Sequence, residues 1–188
     1  SSYIYDPHHP IPTRGGRNML IDSGPQDQRP VQALPNYGLL YRSEVLDENL
    51  TIAGAVSVTL HIQSNCRDTD FVAKLIELQP DGSTMLLMDG VVRAMYRNAE
   101  AGPRHLTPDQ VYRVRIHLGD LHHTFVAGSR LQVDITSSNF PRRARNTNSG
   151  NVILANDTEA DIPIATNVLH HSAEYPSFIA LPILPISD

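Results

Sequence analysis

The stretch AVSVTLHIQS, from Ala55 to Ser64, decides the fold class of this chain. Aliphatic side chains stand at every second position, and polar side chains fill most of the others; the aliphatic set is Val56, Val58, Leu60 and Ile62. Successive side chains of a β-strand point to opposite faces, so this alternation places the whole aliphatic set on one face. The pattern predicts a half-buried strand with one face in a core.

Similar patterns follow on both sides of this stretch. The segment FVAKLIELQ (71–79) is apolar on both faces, which is typical of a strand that is covered on two sides. The segment 112–118 alternates strictly and indicates a strand, although Thr107 and Pro108 imitate a helix start. Further strands are predicted within 84–96, 131–138, 161–171 and 177–183, with a turn at Pro80–Gly82 and a turn or bulge at Asp89–Gly90.

These segments predict about eight to ten strands with short connections and no long helix. We therefore predict an all-β fold, a jelly-roll β-sandwich of the galactose-binding-like type, over residues 38–188. Residues 1–37 are rich in Pro, Gly, Asp and Asn, and their prolines break helices and strand ladders alike. We expect this segment to be an extended arm that becomes ordered by packing on the jelly roll and on a domain absent from this chain.

The composition indicates a globular chain and argues against several classes of function. Its 188 residues suffice for one domain with a core. A net charge of −5 argues against a general nucleic-acid binder, and no apolar run approaches the about 18 residues of a membrane span. The single cysteine, Cys66, excludes an internal disulfide framework and is compatible with a reducing compartment. Because the chain starts with Ser-Ser rather than Met, we expect a fragment or a processed chain.

No catalytic constellation stands out from the residues themselves. There is no G-x-S-x-G elbow, and no base is assigned to the thiol of Cys66. Adjacent residues of a strand point to opposite faces, so neighbouring histidines would chelate a metal poorly; the pairs are His8-His9, His122-His123 and His170-His171. We expect no catalytic residue, no metal site and no cofactor.

Two polar stretches leave alternatives open. Asp68 and Asp70 could share a Ca²⁺ ion, but the third acid and the glycine of a calcium loop are absent. We favour carboxylates that accept backbone N–H bonds where a loop enters a strand. The arginine-rich stretch FPRRARN (140–146) is either a solvated loop or a docking surface for an acidic partner, and its chemistry favours neither.

Six motifs in order resemble one family. They are YDPHHPIPTRGG (5–16), GPQDQRP (24–30), LTIAGAVSVTLHIQSNCRDTDFVAKLIELQPDG (50–82), DGVVRAMYR (89–97), GSRLQVDITSSNFPRRARNTNSG (128–150) and EYPSFIALPI (174–183). Each motif is weak alone, but the ordered set resembles the C-terminal domain of CocE/NonD serine hydrolases. That family includes esterases, acylases and X-Pro dipeptidyl-peptidases.

The resemblance implies a three-part enzyme. An α/β-hydrolase domain would hold the Ser-Asp-His triad, a helical cap would cover it, and a jelly roll would pack against both. This chain resembles the jelly roll alone, so the catalytic residues of the family have no counterparts here, and we expect the chain to be inactive by itself. The implied partners are the hydrolase and cap domains of the same polypeptide and a small acyl ester, amide or peptide substrate. We expect no nucleic-acid or membrane partner, and oligomerisation stays open.

The resemblance also implies roles for two sets of residues. The region after the Gly-Gly pair would approach the acyl pocket, which nominates Gly16, Asn18, Met19 and Leu20. A structural role is implied for the two family motifs, Asp68, Asp70 and Phe71 in one and Asn139, Phe140, Pro141 and Arg142 in the other. The arm could instead dock on the jelly roll's own surface.

Two other classes of function compete with the hydrolase domain. The chain could be a stand-alone carbohydrate-binding module, although it has no Trp and only 6% aromatic residues for stacking sugars. It could also be an interaction domain for oligomerisation, and an apolar patch left by an absent partner domain would imitate that role.

Overall fold

The computed structural model describes residues 1–19 and 21–185 of the chain. Within them, nine β-strands are joined by loops and by short helices. The strands are β1 (Ser2–Tyr5), β2 (Leu39–Arg42), β3 (Leu50–Ser64), β4 (Asp70–Leu78), β5 (Thr84–Arg93), β6 (Tyr112–Phe125), β7 (Arg130–Thr136), β8 (Ala165–His170) and β9 (Phe178–Ala180). The helices are α1 (Arg29–Gln32) and single 3₁₀ turns at Ala94–Tyr96, Ala99–Ala101, Leu154–Asn156 and Glu159–Asp161. None of the described helices is long and apolar enough to cross a membrane.

The strands form two antiparallel sheets with jelly-roll connectivity. The first sheet has the order β1-β8-β3-β6, with β9 paired to β3, and the second has the order β2-β7-β4-β5. The chain changes sheet at each connection from β1 to β8 except between β4 and β5, which are joined by the predicted turn at Pro80–Gly82. The predicted all-β sandwich is therefore confirmed.

The core lies between the sheets and uses the alternation that the sequence shows. Val56, Val58, Leu60 and Ile62 of β3 are all buried in the main core cluster. Phe71 and Leu75 of β4 meet them there with no exposed surface. Burying such side chains stabilises the fold by about 1.5–3 kcal/mol each, so the period-two pattern alone favours this sandwich.

The opposite face of β4 is also buried, as its sequence predicts. Val72 and Ile76 point away from the main core, yet they are at most 1% exposed. The segment 26–37 contacts this face, because Gln28 and Tyr37 accept hydrogen bonds from Lys74, which lies between Val72 and Ile76. Its backbone bonds to β5, because Gln28 N–H donates to the Thr84 carbonyl over 2.8 Å.

The first 37 residues include a strand of the first sheet and a buried apolar cluster, which an extended arm would not have. Residues Ser2–Tyr5 pair with β8 and form the edge strand of the first sheet. Farther along, Ile11, Val31 and Tyr37 form a second small apolar cluster. The sandwich thus begins before residue 38, and a boundary at that position would divide a sheet from its own edge strand. The prolines of the segment hid the short strand that precedes them.

The prediction of a turn or bulge at Asp89–Gly90 is wrong. Both residues lie inside β5 and pair with Lys74 and Ala73 of β4. The irregularity of this ladder lies two residues before Asp89, where Leu87 is the extra residue. Gly90 serves a close approach instead, since a Cβ atom there would collide with the His117 carbonyl of β6.

Candidate functional site

Four long connections meet at one end of the sandwich, which we call the long-loop end. They are 6–38 (β1–β2), 65–69 (β3–β4), 94–111 (β5–β6) and 137–164 (β7–β8). Hydrogen bonds tie them to one another. The Arg145 guanidinium donates to the Pro7 carbonyl over 2.6 Å, and Met95 N–H donates to the Asp68 carboxylate over 2.8 Å. Most of the nominated residues lie here.

Asp68 and Asp70 form a buried cluster with Asn146. The Asn146 amide donates to Asp68 Oδ2 over 2.8 Å and to Asp70 Oδ1 over 2.7 Å, and Arg93 Nε donates to Asp70 Oδ1 over 2.9 Å. Burial raises the pKa of Asp68 to about 6, although the donors from Asn146 and Met95 oppose it. Both carboxylates already accept internal hydrogen bonds, and none of the described residues forms a cluster able to hold a metal ion. The contacts of this motif are those of a brace between loops.

Phe71, the next residue, has no exposed surface and lies in the main core. It fixes the start of β4 directly beside the carboxylate cluster. Its burial beside the carboxylate cluster is consistent with a structural role of the Asp-Thr-Asp-Phe motif.

Asn139, Phe140, Pro141 and Arg142 lie beside the incoming arm. The Phe140 backbone pairs with it in parallel, since Thr13 N–H donates to the Phe140 carbonyl over 2.6 Å. Arg142 Nη1 lies 2.5 Å from the Asp89 carboxylate, and the Asn139 amide donates to the same carboxylate over 3.1 Å. Asp89 is 6% exposed, so these two donors compensate the burial of its charge. The Phe140 side chain is 43% exposed.

The residues nominated for the acyl pocket lie on a loop closed by two glycines, which we call the glycine loop (15–24). Gly16 and Gly24 exchange backbone hydrogen bonds of 2.8 and 3.0 Å across its base. Gly16 has φ +85°, and a Cβ atom there would lie 3.0 Å from Asp89 Oδ2 and 3.1 Å from Arg142 Nη1. The base of the loop therefore lies directly on the Asp89–Arg142 ion pair.

The two sides of the glycine loop are held by polar contacts. Asn18 donates from its amide to the Gly15 carbonyl over 3.0 Å and accepts from Ile21 N–H over 3.0 Å. Arg17 donates to the Leu118 carbonyl of β6 over 2.5 Å. Met19, between these anchors, is 98% exposed. Leu20, the fourth nominated residue, lies outside the described residues.

The arginine-rich stretch is mostly engaged within the chain. Arg142 pairs with Asp89, and the Arg145 guanidinium is held by the Pro7 carbonyl. Arg143 is exposed and its backbone N–H closes a turn on the Asn139 carbonyl. A docking surface built from three free arginines does not fit these contacts.

Sequence reasoning missed a second buried polar cluster, under the arm. Lys74 of β4 is 1% exposed and its ammonium donates to Gln28 Oε1 over 3.2 Å and to Tyr37 Oη over 3.4 Å. Tyr37 in turn donates to Asp134 Oδ2 over 2.8 Å. Burial lowers the pKa of Lys74 to about 8, with Asp134 opposing it. One signal was available, since Lys74 is the only lysine of the chain and lies in a strand that is apolar on both faces.

Comparison with known proteins agrees with this architecture. Residues 22–180 match the family described as the X-Pro dipeptidyl-peptidase C-terminal non-catalytic domain. Cocaine esterase from Rhodococcus sp. (strain MB1 Bresler) is 39% identical over 185 residues, which are 97% of this chain and 32% of the esterase.

Two solved structures are similar over 98% of the chain. An aminopeptidase from the marine sediment archaeon Thaumarchaeota archaeon has a TM-score of 0.89 at 28% identity, and an α-amino acid ester hydrolase has a TM-score of 0.86 at 29% identity. The chain spans about a third of the length of these relatives, 33% and 32% of the two structures. The resemblance predicted from the six motifs is confirmed, and the chain belongs to the family of X-Pro dipeptidyl-peptidase C-terminal non-catalytic domains.

Proposed function

We propose that this chain is the jelly-roll domain of a serine hydrolase of acyl esters or amides, in which it contributes scaffold, an interdomain surface and one wall of the acyl pocket. The family supplies the non-catalytic role. An esterase, an ester hydrolase and an aminopeptidase are similar to nearly the whole chain. The partner surfaces would belong to a hydrolase domain and a cap domain of the same polypeptide.

The observation that carries the proposal is the presentation of Met19. A methionine that is 98% exposed forgoes about 1.5–3 kcal/mol of burial free energy. The loop around it is nevertheless held at its base by Gly16 and Gly24 and on its sides by Arg17 and Asn18. A fixed loop with an unburied apolar tip suits a site whose other half lies in a neighbouring domain.

The chemistry would then be divided between domains. The acyl-enzyme steps need a nucleophile, a base and an oxyanion hole, which the hydrolase domain would supply. Met19 would contact the acyl group of the substrate and exclude water from its side of the pocket. This domain would thereby affect which acyl groups are accepted without taking part in bond cleavage.

The test is Met19→Ala in the full-length protein. We expect kcat/KM for a bulky aromatic acyl ester to fall at least about tenfold, the effect of removing one well-packed apolar contact, and kcat/KM for an acetyl ester to change much less. The thermal midpoint should change little, because Met19 is hardly buried within this domain. The control is Val126→Ala, which removes an apolar side chain 48% exposed at the other end of the sandwich. Equal effects of the two variants on both esters would refute a pocket role for Met19.

A second test uses the chain alone. The 188 residues should give no turnover of p-nitrophenyl butyrate above the buffer rate, because the sequence contains no G-x-S-x-G elbow that would present a nucleophilic serine. Turnover that rises with protein concentration and copurifies with the chain through two different chromatographic steps would contradict the non-catalytic role.

A further inference from the structure

An apolar cleft of about 220 Å³ opens between the two sheets, away from the long-loop end. Its walls are inward-facing aliphatic side chains of both sheets, namely Val58, Leu60, Val133, Ile135, Leu169 and Ile179. Protein interiors are normally packed with few voids larger than a water molecule. The cleft is open to solvent on one side, and its apolar floor leaves room for a small ligand to pack against it.

The cleft opens at a part of the first sheet where only a short strand pairs with β3. Strand β1 pairs with β8 at residues 165–168, whereas beside Ser57–Thr59 the sheet is completed only by the three residues of β9. Strand β2 is the facing edge of the second sheet. Between these two edges the core is reached from outside.

The rim of the cleft combines aromatic rings with one polar pair. Tyr41 Oη and His171 Nε2 lie 2.9 Å apart, and their rings meet edge to face with centroids 5.1 Å apart. Phe178, also on the rim, is 48% exposed. Ser177 is already engaged, because its hydroxyl donates to the His170 carbonyl over 2.7 Å and accepts from His61 N–H over 2.9 Å. The polar groups that remain for a ligand are thus those of Tyr41 and His171.

We propose that this cleft binds a small, uncharged aromatic molecule that has one hydroxyl group, of the size of phenol or benzyl alcohol. Enclosed apolar cavities of about 150 Å³ in proteins accept benzene, so an open cleft of about 220 Å³ has room for a single ring against its apolar floor. Rigid rings lose little conformational freedom on binding and pack well edge to face against other rings. The hydroxyl group would bond to the Tyr41–His171 pair, which fixes its orientation.

An uncharged ligand fits the rim better than an anion does. Burial lowers the pKa of His171, and the N-terminal ammonium of Ser1 acts in the same direction, so the cationic form of the imidazole is disfavoured. No lysine or arginine lines the cleft. The cleft also shares no residue with the glycine loop, so this site is independent of the acyl pocket proposed above.

The experiment titrates benzyl alcohol into the 188-residue chain with ¹³C-labelled methyl groups, followed by NMR. We expect saturable shifts confined to the cleft methyls, such as those of Val58, Leu169 and Ile179, with a Kd in the region of about 1 mM, as is usual for a ligand of this size. Toluene should bind at least fivefold more weakly because it lacks the hydroxyl group. Shifts that are linear in concentration, or that spread over the surface, would overturn the proposal.

Two variants make the assignment specific. Val133→Phe fills the cleft and should weaken benzyl alcohol at least tenfold, whereas Val126→Phe adds the same ring outside the cleft and should leave binding unchanged. Tyr41→Phe removes the hydroxyl of the rim and should abolish the preference for benzyl alcohol over toluene while toluene still binds. If Val133→Phe does not fold, the Tyr41→Phe comparison decides, and an unchanged preference there would overturn the proposal.

Discussion

At the scale of single residues, the long-loop end is held by hydrogen bonds between residues that are far apart in the sequence. Asp68 precedes β4 and takes its two donors from Met95 and Asn146, which are 27 and 78 residues away. The sequence predicts that an aspartate at a strand entrance bonds to backbone N–H groups, and one of the two donors is of that kind. The amide of Asn146 could not be foreseen, because only the closed jelly roll brings the β7–β8 connection beside it.

Replacing Asp68 by asparagine should destabilise the domain. The amide group would place an N–H donor against Met95 N–H or against the Asn146 amide, which leaves a buried donor without an acceptor. We expect a loss of about 1–3 kcal/mol in the free energy of unfolding, measured by urea denaturation at pH 7. Asp120→Asn, at an exposed position of β6, is the matched control and should change stability by less than about 0.5 kcal/mol. A loss no larger than that of the control would show that the cluster is not a brace.

The contact between the glycine loop and the Asp89–Arg142 pair can be tested at Gly16, with Gly24 of the same loop as the control. Gly16 and Gly24 both have positive φ, +85° and +80°, but a Cβ atom meets the Asp89–Arg142 pair at Gly16 and open space at Gly24. Both alanine variants should lose roughly 1 kcal/mol for their backbone conformation. Gly16→Ala should lose about another 1 kcal/mol because the ion pair must shift. Thermal unfolding of the two variants measures the difference, and equal losses would mean that the loop does not rest on the ion pair.

At the scale of secondary structure, the sequence correctly predicts that both faces of β4 are buried. It does not predict which residues pack against the second face. The two apolar faces of β4 correctly indicate cover on both sides, since Phe71 and Val72 are each at most 1% exposed. The pattern does not say what covers the second face. Residues 26–37, which the prolines and polar residues mark only as irregular, contact this face at Lys74. Short β1 was missed for the same reason, because four residues before a proline-rich stretch offer too little alternation.

Lys74 of β4 gives a pH dependence whose sign follows from its burial. Its pKa is about 8 in the folded chain and has its ordinary value near 10.5 in the unfolded chain, so the unfolded state holds more protons between these values. Stability should therefore rise with pH from 8 toward 10.5, by up to about 3 kcal/mol if the whole shift is realised. Lys74→Met removes this rise. The measurement is urea denaturation from pH 8 to 9, where the tyrosines of the unfolded chain, with pKa values near 10, are still mostly protonated. Taking the difference between wild type and variant cancels the other titrating groups, and parallel pH profiles would refute the burial of the ammonium.

At the scale of the whole molecule, the arm contributes to both sheets, so we predict that the arm and the sandwich unfold as one cooperative unit. The first sheet takes its edge strand from residues 2–5, and residues 26–37 bond to β5 and contact the outer face of the second sheet at Lys74. The hydrophobic alternation predicts the sandwich because it is local. It cannot assign the arm, because the arm's burial depends on a sheet face that forms from strands far away in the chain. Met19 of the glycine loop is 98% exposed and belongs to the part of the arm that faces away from the domain.

A fragment of residues 38–188 should therefore fail to fold cooperatively. Removing the arm deletes the cluster of Ile11, Val31 and Tyr37, worth about 2 kcal/mol for each side chain. The sum of about 6 kcal/mol is comparable with the whole stability of a typical domain, which is about 5–15 kcal/mol. The fragment would also expose Val72 and Ile76, and Lys74 would lose Gln28 and Tyr37.

Thermal unfolding followed by near-ultraviolet circular dichroism should show a sigmoidal transition for the complete chain and none for the fragment. A synthetic peptide of residues 1–37 should restore the transition, and a scrambled peptide of the same composition should not. A fragment that unfolds at the midpoint of the complete chain would mean that the arm is only attached to the sandwich, and the domain boundary at residue 38 would then be right.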